Sequence, residues 1–496
     1  MKYDVIVVGA GNAALCSAMA ALENGMKVLI LEAAPESEKG GNSWFTAGGF
    51  RFVHDGLEDV CKDILELTEE EKSKIVLPTV SRQRYFDSIM SITSNQSDEE
   101  LIWMLTDGSR PTLGWLHSHG IKFLPMYGRQ SVLVEGIHHF YGGGIAEAAG
   151  GGAGLVQAEL DRVKKLGAEI RYNAAATGLI QDVNNAVIGV KIRSKEGNSE
   201  VFSKSVVLAC GGFESNPEMR AKYLGPGWDL VKVRGTRHNM GVGIKMALEV
   251  GAVPFGNWSS CHACEWDISA PAFGDRWILD NYQKHSYFLG IIVNTNCERF
   301  VDEGADYRNN TYAKYGREIL KQPNRTAIQI FDQKTISNLR DEYRIKEVTK
   351  AESDTIAGLA EQLELDPVAL ERTINEFNAA CGPQPFHPGI LDGKCTTGIS
   401  PPKSNWAVPI DQGPYVAYVT TTGMTFTFGG LKINNKAEVQ DNYGESIPGL
   451  YAAGELVGGL WYENYPGGAG LMAGCVFGKL AGESAAARVA QQREGH

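Results

Sequence analysis

The chain has no run approaching the ~18 consecutive apolar residues that a membrane-crossing helix requires. Its opening, MKYDVIVVGAG, contains no apolar leader core followed by a small-residue cleavage site. These two absences give the expectation of a cytoplasmic protein without membrane insertion. Positive charge is scarce too: 47 Lys and Arg face 59 Asp and Glu, a formal net charge of −12. Such a field repels polyanions, so no nucleic-acid partner is expected. Cysteine is present but unorganised. The nine cysteines are odd in number and scattered, which suits reduced thiols better than a disulfide framework. Cys261 and Cys264 form the single CxxC. With no second pair to complete a zinc or iron–sulfur set, they read as two buried thiols in a loop. His138 and His139 are neighbours that point apart on a strand, so no metal is expected. No period of ~20–50 residues recurs, which excludes a solenoid.

What the chain does have is length and glycine. At 496 residues it exceeds one compact core, so two domains are expected, one inserted into the other. Its 58 glycines amount to about 12% of the chain against a usual ~7%, and they cluster, as close backbone approaches to a large ligand require. Tyr3–Val8 reads as a buried strand, Gly9–Gly11 as a turn, Asn12–Asn24 as an Ala-rich helix and Lys27–Leu31 as a second strand ending on Glu32. An amphipathic helix near 155–165 and a strand near 168–172 follow. Further strands are expected at 186–193 and 201–208, the latter running into ACGGF at 209–213. From about Gly251 the texture turns aromatic and polar, with helical periods near 354–362 and 367–380. The strand GLYAAGE (449–455), the turn NYPGGAGLMAG (464–474) and a last Ala-rich helix return to the first texture. The expected fold is α/β: a Rossmann-like domain from 1–251 and 411–496, with an α+β cap inserted at 252–410.

Gly9-Ala10-Gly11-Asn12-Ala13-Ala14 is a GxGxxA fingerprint between strand and helix, with Glu32 at the expected distance. Gly9 makes the tight turn, Gly11 lets backbone approach a diphosphate, Ala14 permits close helix packing, and Glu32 bonds a ribose hydroxyl. The helix N-terminus adds free N–H groups and a positive dipole. Ala13 and Ala33 flank these positions. FAD, rather than a nicotinamide, is indicated by far-separated segments able to offer backbone donors along an isoalloxazine edge. These are GGNSWFTAGG with Gly41, Asn42, Ser43, Thr46, Ala47, Gly48 and Gly49, and ACGG with Ala209, Gly211 and Gly212. Gly454, Glu455, Gly470 and Leu471, from AAGE and GGAGL, and Ala176 complete the expected set. No second dinucleotide fingerprint appears.

These motifs resemble the fumarate reductase and succinate dehydrogenase flavoprotein family. The likeness covers the FAD domain throughout and the cap more weakly. GGNS, GLYAAGE and FYGGG…GGGAGLV look most like tricarballylate dehydrogenase, and the NYPGG turn is also similar to ketosteroid Δ1-dehydrogenases. The resemblance implies hydride transfer between a substrate carbon and the flavin. Members with covalent FAD carry a histidine where Asn42 stands, so the resemblance implies non-covalent FAD here.

By the same resemblance Arg308, which follows the RFVDE strand, is the expected proton carrier. A guanidinium can act so only with a tight carboxylate relay and water excluded. His262 falls where the family has a substrate-binding histidine; a satisfied core histidine is the competing reading. Two positions depart from the fumarate reductases: Phe426 replaces a histidine before TFGG, and Tyr465 replaces the carboxylate-gripping arginine before PGG. A phenol cannot make a bidentate grip, so fumarate and succinate are doubtful substrates. Tyr465 can instead polarise a ketone oxygen. Trp258, Phe426, Trp461 and Tyr462 are candidate substrate-pocket aromatics, with plain packing as the alternative.

The expected activity is therefore an FAD-dependent desaturation or reduction of a carbon–carbon bond next to a carboxylate or carbonyl, similar to tricarballylate dehydrogenase. Arg308, Tyr465 and His262 are its catalytic candidates. The alternatives are a ketosteroid-type desaturase, a flavoprotein subunit handing electrons to a separate redox protein, and an idle FAD-binding scaffold. The partners expected are a small-molecule substrate and an unidentified electron acceptor.

Overall fold

The computed structural model describes residues 2–141 and 143–494. The chain opens with strand β1 (Val5–Val8), helix α1 (Asn12–Glu23) and strand β2 (Val28–Leu31). Helix α2 (Gly151–Lys165) and strands β3 (Glu169–Arg171) and β4 (Ser205–Leu208) follow. Then come strand β5 (Cys261–Asp267), helix α3 (Arg308–Leu320), strands β6 (Thr326–Phe331), β7 (Tyr415–Thr427) and β8 (Ser446–Ala452), and helix α4 (Ala469–Glu494).

The central sheet runs β8-β4-β1-β2-β3 in parallel, with a short antiparallel strand, Glu438–Gln440, on its β8 edge. Val5 pairs with both Val28 and Ser205, so β1 sits at the centre. Every residue of β1 (VIVV) and β2 (VLIL) is buried, as a parallel sheet covered on both faces demands. Each such Val, Ile or Leu contributes about 1.5–3 kcal/mol relative to exposure. The chain steps outward from β1 to β2 and β3, then crosses back to β4 on the other side. That reversal opens a crevice at the carboxyl ends of the strands.

Helix α1 is rich in alanine and nearly all buried, and α4 lies directly on it. Gly474, Gly478 and Gly482 recur every four residues and so share one face of α4. A Cβ there would come within 2.7 Å of Asn12 Nδ2, 2.5 Å of the Ala13 carbonyl and 2.2 Å of the Ser17 carbonyl. Asn12 Nδ2 donates to the Leu471 carbonyl at 2.9 Å, and its Oδ1 accepts from Cys475 Sγ at 3.0 Å. Cys16, Cys475 and Glu159 of α2 meet beneath this joint, their ligand-type atoms all within 4.8 Å of one another.

The second large sheet is built around β7. It pairs antiparallel with β6, β5 and Lys350–Ser353, and parallel with Lys232–Val233. This cap sheet thus draws strands from 232–233 and 415–427, beyond the expected limits of 252–410. The expected single strand at 201–208 is two. Gly197–Phe202 closes a three-stranded antiparallel sheet and β4 joins the central one. Ser203 Oγ, donating to the Ser205 carbonyl at 2.8 Å, marks the break. Cys261 and Cys264 lie on β5 rather than in a loop, both buried. His138 and His139 fall on the strand Ile137–Phe140, His138 half-buried against Ser131 and His139 exposed.

Candidate active site

One cavity, about 300 Å³ in volume, follows the crevice from Glu32 to Tyr465. Its first stretch is backbone. Gly9 has φ of +108°, and a Cβ on it would sit 2.4 Å from the Ala209 carbonyl, so only glycine fits the turn out of β1. Gly11 precedes α1 and gives it no side-chain cap; the Asn12 N–H instead meets Ser43 Oγ at 3.1 Å. Glu32, buried at the end of β2, accepts from the Ala34 N–H at 2.8 Å. Burial pushes its carboxyl pKa upward, and that N–H partly opposes the shift.

Of the residues expected at a cofactor, Gly9, Gly11, Asn12, Ala13, Glu32, Ala33, Gly41, Asn42, Ser43, Thr46, Ala47 and Gly49 line this cavity. So do Ala176, Ala209, Gly211, Gly454, Glu455, Gly470 and Leu471. Ala14, Gly48 and Gly212 stand behind the wall. Ala14 is wholly buried in α1, and a Cβ on Gly48 would meet the Gly151 backbone at 2.7 Å. A Cβ on Gly212 would strike Thr427 Oγ1 and Glu455 Oε1, at 2.1 and 2.2 Å.

Asn42 joins the glycine loop to the cap. Its Nδ2 donates to Glu214 Oε1 at 2.6 Å and to the Thr425 carbonyl at 2.7 Å, while Oδ1 accepts from the Thr236 N–H at 2.9 Å. Glu214 lies next to Glu455, whose Oε1 accepts from the Thr427 N–H at 2.8 Å. Burial, reinforced by Glu455, pushes the Glu214 carboxyl well above the usual range.

The far stretch of the cavity is made of side chains. Arg308 opens α3 and is buried; its Nη2 donates to the Arg129 carbonyl at 3.0 Å. Burial, with Arg340 close by, lowers its pKa to about 10. Tyr312 lies one turn on, on the same face, its ring centre 5.2 Å from the guanidinium carbon. The expected carboxylate relay is not found: among the described residues Arg308 has Arg340 and the phenols of Tyr141, Tyr312 and Tyr287 as its electrostatic neighbours. Asp280 instead bridges two other arginines, bonding Arg129 Nη1 at 2.5 Å and Arg234 Nη2. Arg234 Nη1 also reaches Thr425 Oγ1 at 3.0 Å. Burial opposes ionisation of Asp280, but Arg234 and Arg129 outweigh it and hold the pKa below the usual value.

His262 of β5 stands opposite Phe426 of β7 in the cap sheet. Tyr312, Tyr465 and Phe426 surround its ring at centroid distances of 5.0, 5.1 and 5.3 Å. Neither ring nitrogen has a partner among the described residues, and burial, then Arg234, lowers the pKa well below the ordinary value. Tyr465 Oη accepts from the Gly470 N–H at 3.2 Å and pairs with the Tyr312 phenol.

The FAD binding domain family matches residues 4–471. The chain belongs to this flavoprotein family, that of the fumarate reductase and succinate dehydrogenase flavoproteins. Fumarate reductase (cytochrome) of Shewanella frigidimarina is 28% identical over 487 residues, spanning 97% of this chain and 77% of its own length. The 3-oxosteroid 1-dehydrogenase of Mycolicibacterium smegmatis is 25% identical over 576 residues, spanning 100% and 99%. The open conformation of a flavocytochrome c3 fumarate reductase matches with a TM-score of 0.73 at 25% identity, over 98% of this chain and 78% of that one. The flavoprotein is thus an FAD-dependent oxidoreductase acting on CH–CH bonds.

The cavity of this flavoprotein fits FAD in the order of its chemistry. A buried acid stands at one end, a helix N-terminus beside it suits a diphosphate, and the glycine segments 41–49 and 467–470 lead to the rings at the other end. Two of the expected substrate aromatics lie off this cavity. Trp258 is stacked on Phe213 at 5.8 Å and tilted against Tyr223 at 4.7 Å, behind Gly429. Tyr462 is likewise absent from the lining, whereas Phe426 and Trp461 belong to it. Sequence reasoning missed Arg129, Arg234, Asp280 and Tyr312. Only Tyr312 carried a usable signal, its spacing of four from Arg308.

Proposed function

We propose that this flavoprotein interconverts a carbon–carbon single and double bond next to a carboxylate. The observation that carries the reading is charge: Arg129, Arg234 and Arg308 line the substrate end of the cavity with Arg340 beside them, against Asp280 on the wall and Glu342 and Glu147 behind Arg129. Buried guanidiniums outnumbering their counterions call for an anionic ligand. Bound FAD supplies the two-electron hydride chemistry. Arg129 and Arg234 orient the carboxylate, and the packed rings exclude water. Arg308 holds the proton that reaches the substrate carbon or leaves it; in place of the expected carboxylate relay, burial and Arg340 lower its pKa to about 10 and so bring a guanidinium nearer to that task. FAD is taken to be non-covalent, since Asn42 is an amide engaged on both ends. The electron acceptor is taken to be a separate redox partner. A cytoplasmic, reducing location is supported by nine unpaired cysteines among the described residues.

The decisive experiment is an anaerobic titration of the holoenzyme. Saturated acids such as tricarballylate and 3-phenylpropanoate are expected to bleach the oxidised flavin; bleaching by 3-ketosteroids alone would overturn the proposal. That second reading, a ketone desaturase, is favoured by the paired phenols of Tyr312 and Tyr465 on the cavity wall, which suit a ketone oxygen.

A further inference from the structure

The cations and the rings of the substrate end gather about two different hubs. Arg129 is the first: its carbonyl takes Arg308, its guanidinium takes Asp280, and Asp280 takes Arg234. His262 is the second, ringed by Tyr312, Phe426 and Tyr465 within 5.3 Å, with Trp461 packed on Tyr465 at the same centroid distance. The cations of the second hub stand at its rim: the Arg308 guanidinium carbon lies 5.2 Å from the Tyr312 ring centre, and Arg51 lies near Tyr465. Burial disfavours charge on the hub's histidine, whose ring is faced by Phe426 and Tyr465 at 5.3 and 5.1 Å. A second carboxylate placed against Phe426 and Trp461 would exchange its hydration for apolar ring surface. A flat apolar group would find edge-to-face contacts instead.

Resting on the carboxylate reading above, we infer that the substrate is an aromatic monocarboxylate of the arylacrylate and arylpropanoate type, its carboxylate held by Arg129 and Arg234 and its ring by the cage around His262. In the reductive direction the arylacrylate takes up two electrons and two protons and becomes the arylpropanoate. The electron pair and one hydrogen come from reduced FAD, the other proton from Arg308, and FAD is left oxidised.

The test uses the holoenzyme reduced anaerobically with dithionite, the excess reductant removed. Flavin reoxidation is followed after adding cinnamate, fumarate, cinnamyl alcohol or a 3-ketosteroid. Cinnamate is expected to reoxidise the flavin, yielding 3-phenylpropanoate, with kcat/KM at least ~10-fold above fumarate and cinnamyl alcohol. Arg234→Gln should raise KM for cinnamate ~10–100-fold with a smaller change in kcat, the mark of lost carboxylate grip. If fumarate equals or exceeds cinnamate, the aromatic class is wrong while the carboxylate proposal stands. If only the ketosteroid reacts, both fail. Equal rates with cinnamyl alcohol, or no reaction with any of the four, also overturn the inference. The wild-type ranking needs no variant, so a poorly folded Arg234→Gln leaves the test intact.

Discussion

On the cofactor side of the cavity, Gly9, Gly11, Gly41, Ala47 and Gly49 have side chains that are small or absent and so present backbone. On the substrate side, Arg308, Arg234, Phe426 and Tyr465 present side chains, and even direct partners such as Arg308 and Arg129 lie 179 positions apart. The first wall is intolerant of added atoms because its ligand contacts are the chain itself. The second is built from side chains, so a substitution there alters charge or shape at one point without moving the main chain.

The largest effect should come from adding atoms to the backbone wall. Gly9→Val, which would strain a positive φ and drive a Cβ into the Ala209 carbonyl, is expected to yield protein with essentially no flavin. Full flavin absorbance in the purified variant would break the contrast between the walls. Next comes Arg308→Gln, expected to keep its FAD but to lose ~10²–10⁴-fold in kcat with little change in KM. Unaltered turnover would return Arg308 to a purely structural role.

Asp280→Asn removes the single carboxylate between two buried guanidiniums and is expected to cost about 3–5 kcal/mol in urea unfolding. The sign with pH follows from its lowered pKa. The stabilisation is present above the unfolded value of ~3.9 and is lost as pH falls through the lower folded value, so the variant should lack that acid limb. The smallest effect concerns His262. Its folded pKa is depressed, so the unfolded chain binds the proton more readily and stability falls as pH drops below ~6.5. His262→Asn should make that fall shallower below pH ~6.5, as read by urea unfolding across the acid range. An unchanged slope would mean that His262 is not the buried neutral group described.

The same contrast explains what could be read before any coordinates. The fingerprint at Gly9–Ala14 and its acid at Glu32 are contiguous in one βαβ unit, so periodicity and turn chemistry suffice to place them. Arg129 in MYGRQ and Arg234 in VKVRG look like any surface arginine, because what distinguishes them is a shared Asp280 contributed by a third segment. That β7 pairs with β5 and β6 was illegible for a related reason. β7 reads YVAYVTTTGMTFT, a mostly buried run that could join either sheet, and no change of composition marks its allegiance. The break inside 201–208 depends on one serine turned back onto the main chain, a detail below the reach of a strand pattern.

The glycine face of α4 also has a consequence in time. Asn12 and Leu471 are bonded across 459 positions, and Gly474, Gly478 and Gly482 are the surface on which α1 rests. A chain emerging from a ribosome presents its fingerprint well before the helix that supports it. FAD capture in its final form must therefore wait until synthesis has passed α4, and a chain halted before Ala469 would carry the complete motif yet lack the means to hold it in shape.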